Sequence, residues 1–199
     1  MTEEAARVFD AFVKDVRDAW MSRDDVQARM EIARPLLRRL VSDPALLAAS
    51  RSWPSTEGRK NLLLYTDDDL GFVVNAVVRV PGRRGNAHDH SQAWVLYGLL
   101  DGHESLERYD RLDDGGHPGF ATIKLASVSE GGPGSVDIVA PFAIHAEQGG
   151  RERSVAVILR SERLVGRHLQ NGYDLETGAV VARPGPEQIP FDLGSGRTV

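Results

Sequence analysis

The chain has 199 residues, a formal net charge of -5, 41% hydrophobic and 27% charged residues, and no cysteine. That length suits one domain with a sizeable core, and the missing thiols exclude disulfides, thiolate metal centres and cysteine nucleophiles. Basic residues are nowhere interleaved with aromatics, apolar runs such as Val95 to Leu100 are too short to span a bilayer, and the acidic start lacks a basic-then-apolar leader. The expectation is therefore a cytoplasmic protein with no nucleic-acid or membrane partner, acting as a monomer or homodimer.

The first fifty residues read as helices. Val8, Phe9, Phe12, Val13, Val16 and Trp20 recur at helical spacing, with Lys14, Asp15 and Asp18 opposite. Thr2 suits an N-cap, with Glu3 and Glu4 in the first turn. A second helix is expected from near Asp24, kinked or restarted at Pro35, which has no N–H. Asp43, in the break Ser42-Asp43-Pro44, can cap a short turn through Leu46 and Leu47.

From residue 61 onward, runs rich in Val, Leu, Ile and Tyr alternate with Gly, Pro and Asp turns. They fall at about 61–66, 70–80, 91–100, 104–110, 119–128, 135–140, 153–160 and 178–183. Many short strands with even turns predict a sandwich or barrel. One domain is expected over 1–199: a helical region 1–50 packed outside, a β-barrel over 61–183, and a surface tail over 184–199.

Six histidines offer metal ligands: His88, His90, His103, His117, His145 and His168. Alternate residues of a strand share a face, so His88 and His90 can reach one ion. His145 follows the strand ending at Pro141, behind Phe142, Ala143 and Ile144, and would be aimed inward. Three imidazoles would leave open positions for substrate and O2. His103, His117 and His168 are expected on the surface without function. Gln92, two beyond His90, is placed on the same inward face; Trp94 and Trp53 either line a pocket or belong to the core. Glu104 and Glu147 are candidates to orient a ligand imidazole.

The pattern Gly82-x5-His88-x-His90-x4-Val95-x6-Gly102 resembles the first motif of the cupins, with Val95 where a glutamate ligand commonly stands. The resemblance is to the three-histidine cupins, and among them to the thiol dioxygenases, the cysteine dioxygenase-like family. It spans roughly residues 30 to 175, through Leu62-Leu63-Leu64-Tyr65, His88-Asp89-His90, Trp94, Gly98 to Gly102, Glu104, Tyr109 and His145. It implies a mostly β double-stranded β-helix barrel (a jelly roll) with helices outside. It also implies a mononuclear Fe(II) site, with Zn, Ni or Mn as alternatives, and a small-molecule substrate, possibly a thiol, oxidised by O2. A cupin isomerase or hydrolase and a non-catalytic binding barrel remain open.

The departures from that family are specific. Asp67 stands where a carboxylate-binding Arg is found, and its charge would repel a substrate carboxylate, so cysteine is expected to be a poor substrate. Ala156, Ile158 and Arg160 replace a Ser-x-His-x-Tyr triad, and Val95 replaces a cross-linking Cys. Tyr65 either hydrogen-bonds substrate or is a buried structural Tyr. Arg160 either holds a carboxylate on the site-facing side or lies past the strand end in solvent. Ile158 is placed in the substrate pocket.

Overall fold

The computed structural model describes residues 3–163 and 170–194; Thr2 and His168 lie outside them. Three helices come first: α1 (Glu3–Ser22), α2 (Val26–Val41) and α3 (Pro44–Ser50). Eleven strands follow among the described residues: β1 (Lys60–Thr66), β2 (Val73–Arg79), β3 (Val95–Asp101), β4 (Glu104–Arg111), β5 (Ile123–Gly131) and β6 (Val136–Val139), then β7 (Ile144–Gly149), β8 (Ser154–Arg160), β9 (Gln170–Tyr173), β10 (Val180–Arg183) and β11 (Glu187–Pro190).

One sheet has the order β11-β1-β2-β8-β3-β6. The other contains β5-β4-β7 and β10-β9, joined by bridges from Arg84 to Gln148 and from His88 to both His145 and Gly172. From β2 onward the chain crosses repeatedly between the sheets: β2, then the 84–88 bridge segment, β3, the β4–β5 hairpin, β6, β7, β8, β9. That winding is the cupin double-stranded β-helix, a jelly roll with helices on one outer face.

The sequence dictates this layering. β2 and β8 read as continuous apolar runs and are buried at every position. A strand covered on both faces needs no polar alternation. Leu62, Val74, Val78, Leu96, Val157 and Leu159 face the helices and meet Phe12, Val16, Trp20 and Leu37 in one core. The alternate residues Val77, Val95, Tyr97, Ala156 and Ile158 form a second cluster in the barrel lumen. Gly98 allows the close contact, because a Cβ there would lie 3.0–3.2 Å from side chains of Val41 and Leu37 on α2.

The helix caps follow the sequence. Asp25 accepts from Ala28 N–H at 2.7 Å, and Asp43 accepts from Ala45 N–H at 2.8 Å. Of the kink or restart expected at Pro35, the restart does not occur: α2 runs through it as one helix. Buried Met30 and Ala33 before the proline, and Leu37 and Leu40 after it, anchor both halves to the same core, which outweighs one lost hydrogen bond.

Of the expected surface tail over 184–199, residues 195–199 lie outside the described residues and the rest is exposed or half-buried except Leu193, but part of it is built into the sheet. Residues 187–190 add to β1 in parallel, Phe191 packs edge-on against Trp53 at 5.8 Å, and Leu193 is buried. The tail covers an otherwise open sheet edge. No helix among the described residues is long and apolar enough to cross a membrane.

Asp67 docks α1 onto the β1–β2 turn. Its buried carboxylate accepts from Arg17 at 2.5 Å, Tyr65 hydroxyl at 3.0 Å and Leu70 N–H at 2.9 Å. Burial works against the charge, but these donors outweigh it and hold the carboxyl below its usual range. Asp67→Ala should cost about 3 kcal/mol, by removing three hydrogen bonds of about 1 kcal/mol each from the half-buried Arg17, Tyr65 and Leu70. Thermal denaturation should show a melting temperature lower by roughly 6–12 °C. An unchanged melting temperature would show that the clamp is idle.

Candidate metal centre

The site is built on a backbone pair. His88 N–H donates to His145 O at 2.8 Å, and His145 N–H returns to His88 O at 2.9 Å. Two residues exchanging both bonds across antiparallel strands lie directly opposite. On its other side this segment pairs with β9, through Asp89 N–H to Asn171 O and Tyr173 N–H to Ala87 O. The buried Asp89 side chain clamps that join: it accepts from Ser91 N–H, from Asn171 N–H and side-chain amide, and from Tyr173 hydroxyl at 2.8 Å.

The three imidazoles converge, with ring centroids 4.5 to 4.8 Å apart. His88 Nδ1 lies 3.0 Å from Asn86 O and His145 Nδ1 2.9 Å from Ala143 O. A carbonyl accepts only, so both Nδ1 atoms carry the proton and both Nε2 atoms keep a lone pair. Backbone carbonyls thus orient these two rings, not Glu104 or Glu147. Burial and the neighbouring His145 push His88 down to about 4, so it is neutral near pH 7.

Glu147 is the ligand candidate that the histidine pattern alone does not show. It sits two residues after His145 on β7, on the same face, and its carboxylate is buried. Gly85 lets the facing chain approach it: a Cβ there would lie 2.6 Å from Glu147 O. One donor atom from each of His88, His90, His145 and Glu147 lies within 4.8 Å of the others. His145 Nε2 is buried without a hydrogen-bond partner and faces Glu147 Oε1 at 3.5 Å. Burial opposes the Glu147 charge, but His145, His88 and Arg79 outweigh it and hold the carboxyl well below its usual range. A lone pair facing a carboxylate in a buried site calls for a cation between them, and three imidazoles with one carboxylate suit a divalent metal.

A cavity of about 350 Å³ opens beside the cluster, walled by His88, His90, Glu147, Val77, Val95 and Ile158. Arg160 also lines it, 4% exposed, with Nη1 3.1 Å from His90 Nδ1. Of the residues singled out from sequence, Ile158 and Arg160 therefore lie on the cavity wall, and Arg160 does not reach solvent.

The others are elsewhere. A bulge between Leu63 and Tyr65 breaks the alternation of β1, so Tyr65 packs on the helix-side core with its hydroxyl on Asp67. The chain turns sharply at Ser91, with φ at 52°, so Gln92 does not share the face of His90. Gln92 bonds Ser91 and Glu162, and Trp94 packs on the helix-side core. Trp53 is core as well, and Asp67, buried on the helix side, repels nothing in the cavity. Glu104 reaches no imidazole; it accepts from Tyr97 and Ser154 hydroxyls and flanks Arg79. His103 pairs with Glu152 in solvent and His117 is exposed.

No family model and no curated protein matches the chain. Among solved structures, the Schizosaccharomyces pombe Cnp3 cupin domain is similar at 12% identity and a TM-score of 0.41, covering 52% of this chain and 60% of that one. A double-stranded β-helix protein from Klebsiella pneumoniae is similar at 12% identity and 0.43, covering 69% and 88%. An oxalate oxidase in complex with glycolate is similar at 20% and 0.39, covering 47% of this chain and 43% of its own. The chain spans less than two thirds of the Cnp3 domain and of the oxalate oxidase.

The depressed His88 predicts how the metal-free protein responds to acid. The unfolded imidazole takes its proton near 6.5 and the folded one only near 4, so the unfolded state binds more protons between them. Stability should therefore fall as pH drops from about 6.5 to about 4. Urea unfolding of metal-free protein across that range checks it; a flat profile would contradict the half-buried, neutral His88.

Proposed function

We propose that this chain is a mononuclear metal-dependent enzyme in which His88, His90, His145 and Glu147 hold Fe(II), and that it oxidises a small molecule with O2. The observation that carries the reading is the buried His145 Nε2, without a partner and facing the Glu147 carboxylate, beside a cavity large enough for a small substrate. When bound, the iron would supply open coordination positions and a redox couple for O2.

The chain's own residues define the rest. Glu147 contributes a negative charge that three imidazoles lack, so the substrate need not supply all the neutralising charge. Val77, Val95 and Ile158 give the cavity an apolar wall that excludes water from one side. The Tyr97 hydroxyl is committed to Glu104 at 2.7 Å, which leaves Arg160, with the unpartnered Asn61 amide, among the polar groups placed to orient a substrate.

A thiol substrate gains no support, because Tyr65 and Asp67 are on the helix side and Ala156, Ile158 and Arg160 stand where the triad would be. The same donor set would also accept Mn, Zn or Ni, as a cupin isomerase or hydrolase would use.

Elemental analysis of untagged protein, followed by oxygen-electrode assays, tests the reading. Wild type should carry about one metal per chain, and His145→Ala and Glu147→Gln should each lose most of it, at least tenfold in affinity. Iron-loaded protein should consume O2 with its substrate. Full metal content in His145→Ala would sink the ligand assignment; tight zinc with no O2 uptake would favour the isomerase or hydrolase reading.

A further inference from the structure

Of the seven cations at the cavity, three are ion-paired and a fourth is held by backbone carbonyls. Arg79 is paired with Glu104 and Glu147, each at 3.5 Å, Arg84 with Glu107 at 3.1 Å, and Lys60 with Glu187 at 3.6 Å. Arg83 spends its terminal nitrogens on the carbonyls of Thr56 and Gly58. Arg160, Arg59 and Arg183 have no carboxylate at ion-pair distance among the described residues. Among the described lining residues, seven Arg and Lys face a single carboxylate, Glu147, which the metal cluster claims.

Arg160 is the decisive one. It is buried, its Nε has no hydrogen-bond partner, and its Nη1 rests on His90 Nδ1 at 3.1 Å. That contact needs a lone pair on Nδ1, and a neutral imidazole has only one. A metal on Nδ1 would take it; a metal on Nε2 would leave Nδ1 carrying the proton. Gln170, whose amide also approaches Nδ1, can turn its oxygen there and accept that proton. A guanidinium has no acceptor and cannot. Metal loading therefore strips Arg160 of its acceptor and leaves a buried charge against the cavity, a costly state unless an anion arrives.

At the mouth, Arg59 and Arg183 add two like charges. Burial and the Arg183 charge both push Arg59 down, and its hydrogen bonds go to neutral oxygens, of Pro184 and, until that amide turns to His90, of Gln170. Inside, the buried Asn61 side-chain amide is a donor without a partner on the same wall. The cavity is donor-rich at both depths.

We propose that the substrate is a small organic dianion: one carboxylate is received by Arg160 beside the loaded metal, and a second anionic group sits at the mouth with Arg59 and Arg183. This rests on the reading of the histidine–glutamate cluster as a metal site. The order of events follows from the His90 contact, with metal first and anion second.

Isothermal titration of Zn(II)-loaded protein with succinate, glutarate, propionate and succinamide tests it, with zinc content measured in parallel. At least one diacid should bind tenfold or more tighter than propionate, and succinamide should not bind. Arg160→Gln should weaken the diacid at least tenfold with zinc content unchanged, since a charge-assisted contact is lost. Arg183→Gln, an exposed change that spares folding, should bring the diacid down towards propionate. Should Arg160→Gln fail to fold, Arg160→Lys should retain part of the affinity. Diacids binding no better than propionate, or an Arg160→Gln protein equal to wild type, would overturn the proposal. Wild type that takes up no zinc would defeat the metal reading and this inference with it; one zinc per chain without diacid binding would defeat the anion site alone.

Discussion

The reciprocal hydrogen bonds between His88 and His145 organise this molecule more than any other single contact. They are ordinary main-chain bonds, yet they join the segment after β2 to β7 and bring two imidazoles together, with ring centroids 4.5 Å apart and planes tilted by 46°. His88 also bridges to Gly172 on β9, so one residue closes the second sheet from both sides. Asp89, next along, reinforces the join with four hydrogen bonds from Ser91, Asn171 and Tyr173. Preorganisation of the cluster is therefore a property of the sheet, and loosening the ladder would separate ligands as well as strands.

The first sheet supplies the walls by serving two cores at once. Its strands present one set of residues to the helices and the alternate set to the lumen. Because α1 and α2 cover the outer face, the strands can be apolar throughout, and the lumen face can carry the few polar groups the cavity needs. Arg79 and Arg160 stand at opposite ends of the β2–β8 ladder, opposite Ser154 and Val73 respectively. The two cations consequently meet different surroundings, one among carboxylates and one beside an imidazole.

Buried charge is the other constraint. Arg79, Glu104, Glu147, Tyr97 and Ser154 form a connected group inside the barrel, with the Tyr97 and Ser154 hydroxyls both donating to Glu104. Such groups seldom add net stability over an apolar equivalent. Their effect here is positional: Arg79, together with His145 and His88, keeps Glu147 ionised against the cost of burial.

Periodicity and residue chemistry alone determined the helical start, the β-rich remainder and the convergence of His88, His90 and His145. Helical spacing in α1, the capping aspartates Asp25 and Asp43, and the punctuated apolar runs are local signals that survive folding. Glu147 was legible in principle, since the i, i+2 rule that links His88 to His90 also links it to His145. The residue pattern offers it only as an orienting partner of an imidazole and not as a ligand, because Ile144 to Gly149 lacks the β-branched run that marks a strand, and β7 exists through its partners. Tertiary structure alone decided the rest. A bulge in β1 turned Tyr65 away from the cavity, a left-handed Ser91 removed Gln92 from the face of His90, and the 187–190 segment became a strand because β1 offered it an edge. It also buried Arg160 against His90 without a carboxylate. Spacing predicts which face a side chain shares only while the backbone stays regular; bulges, turns and long-range pairing reset the face, and no local pattern records them.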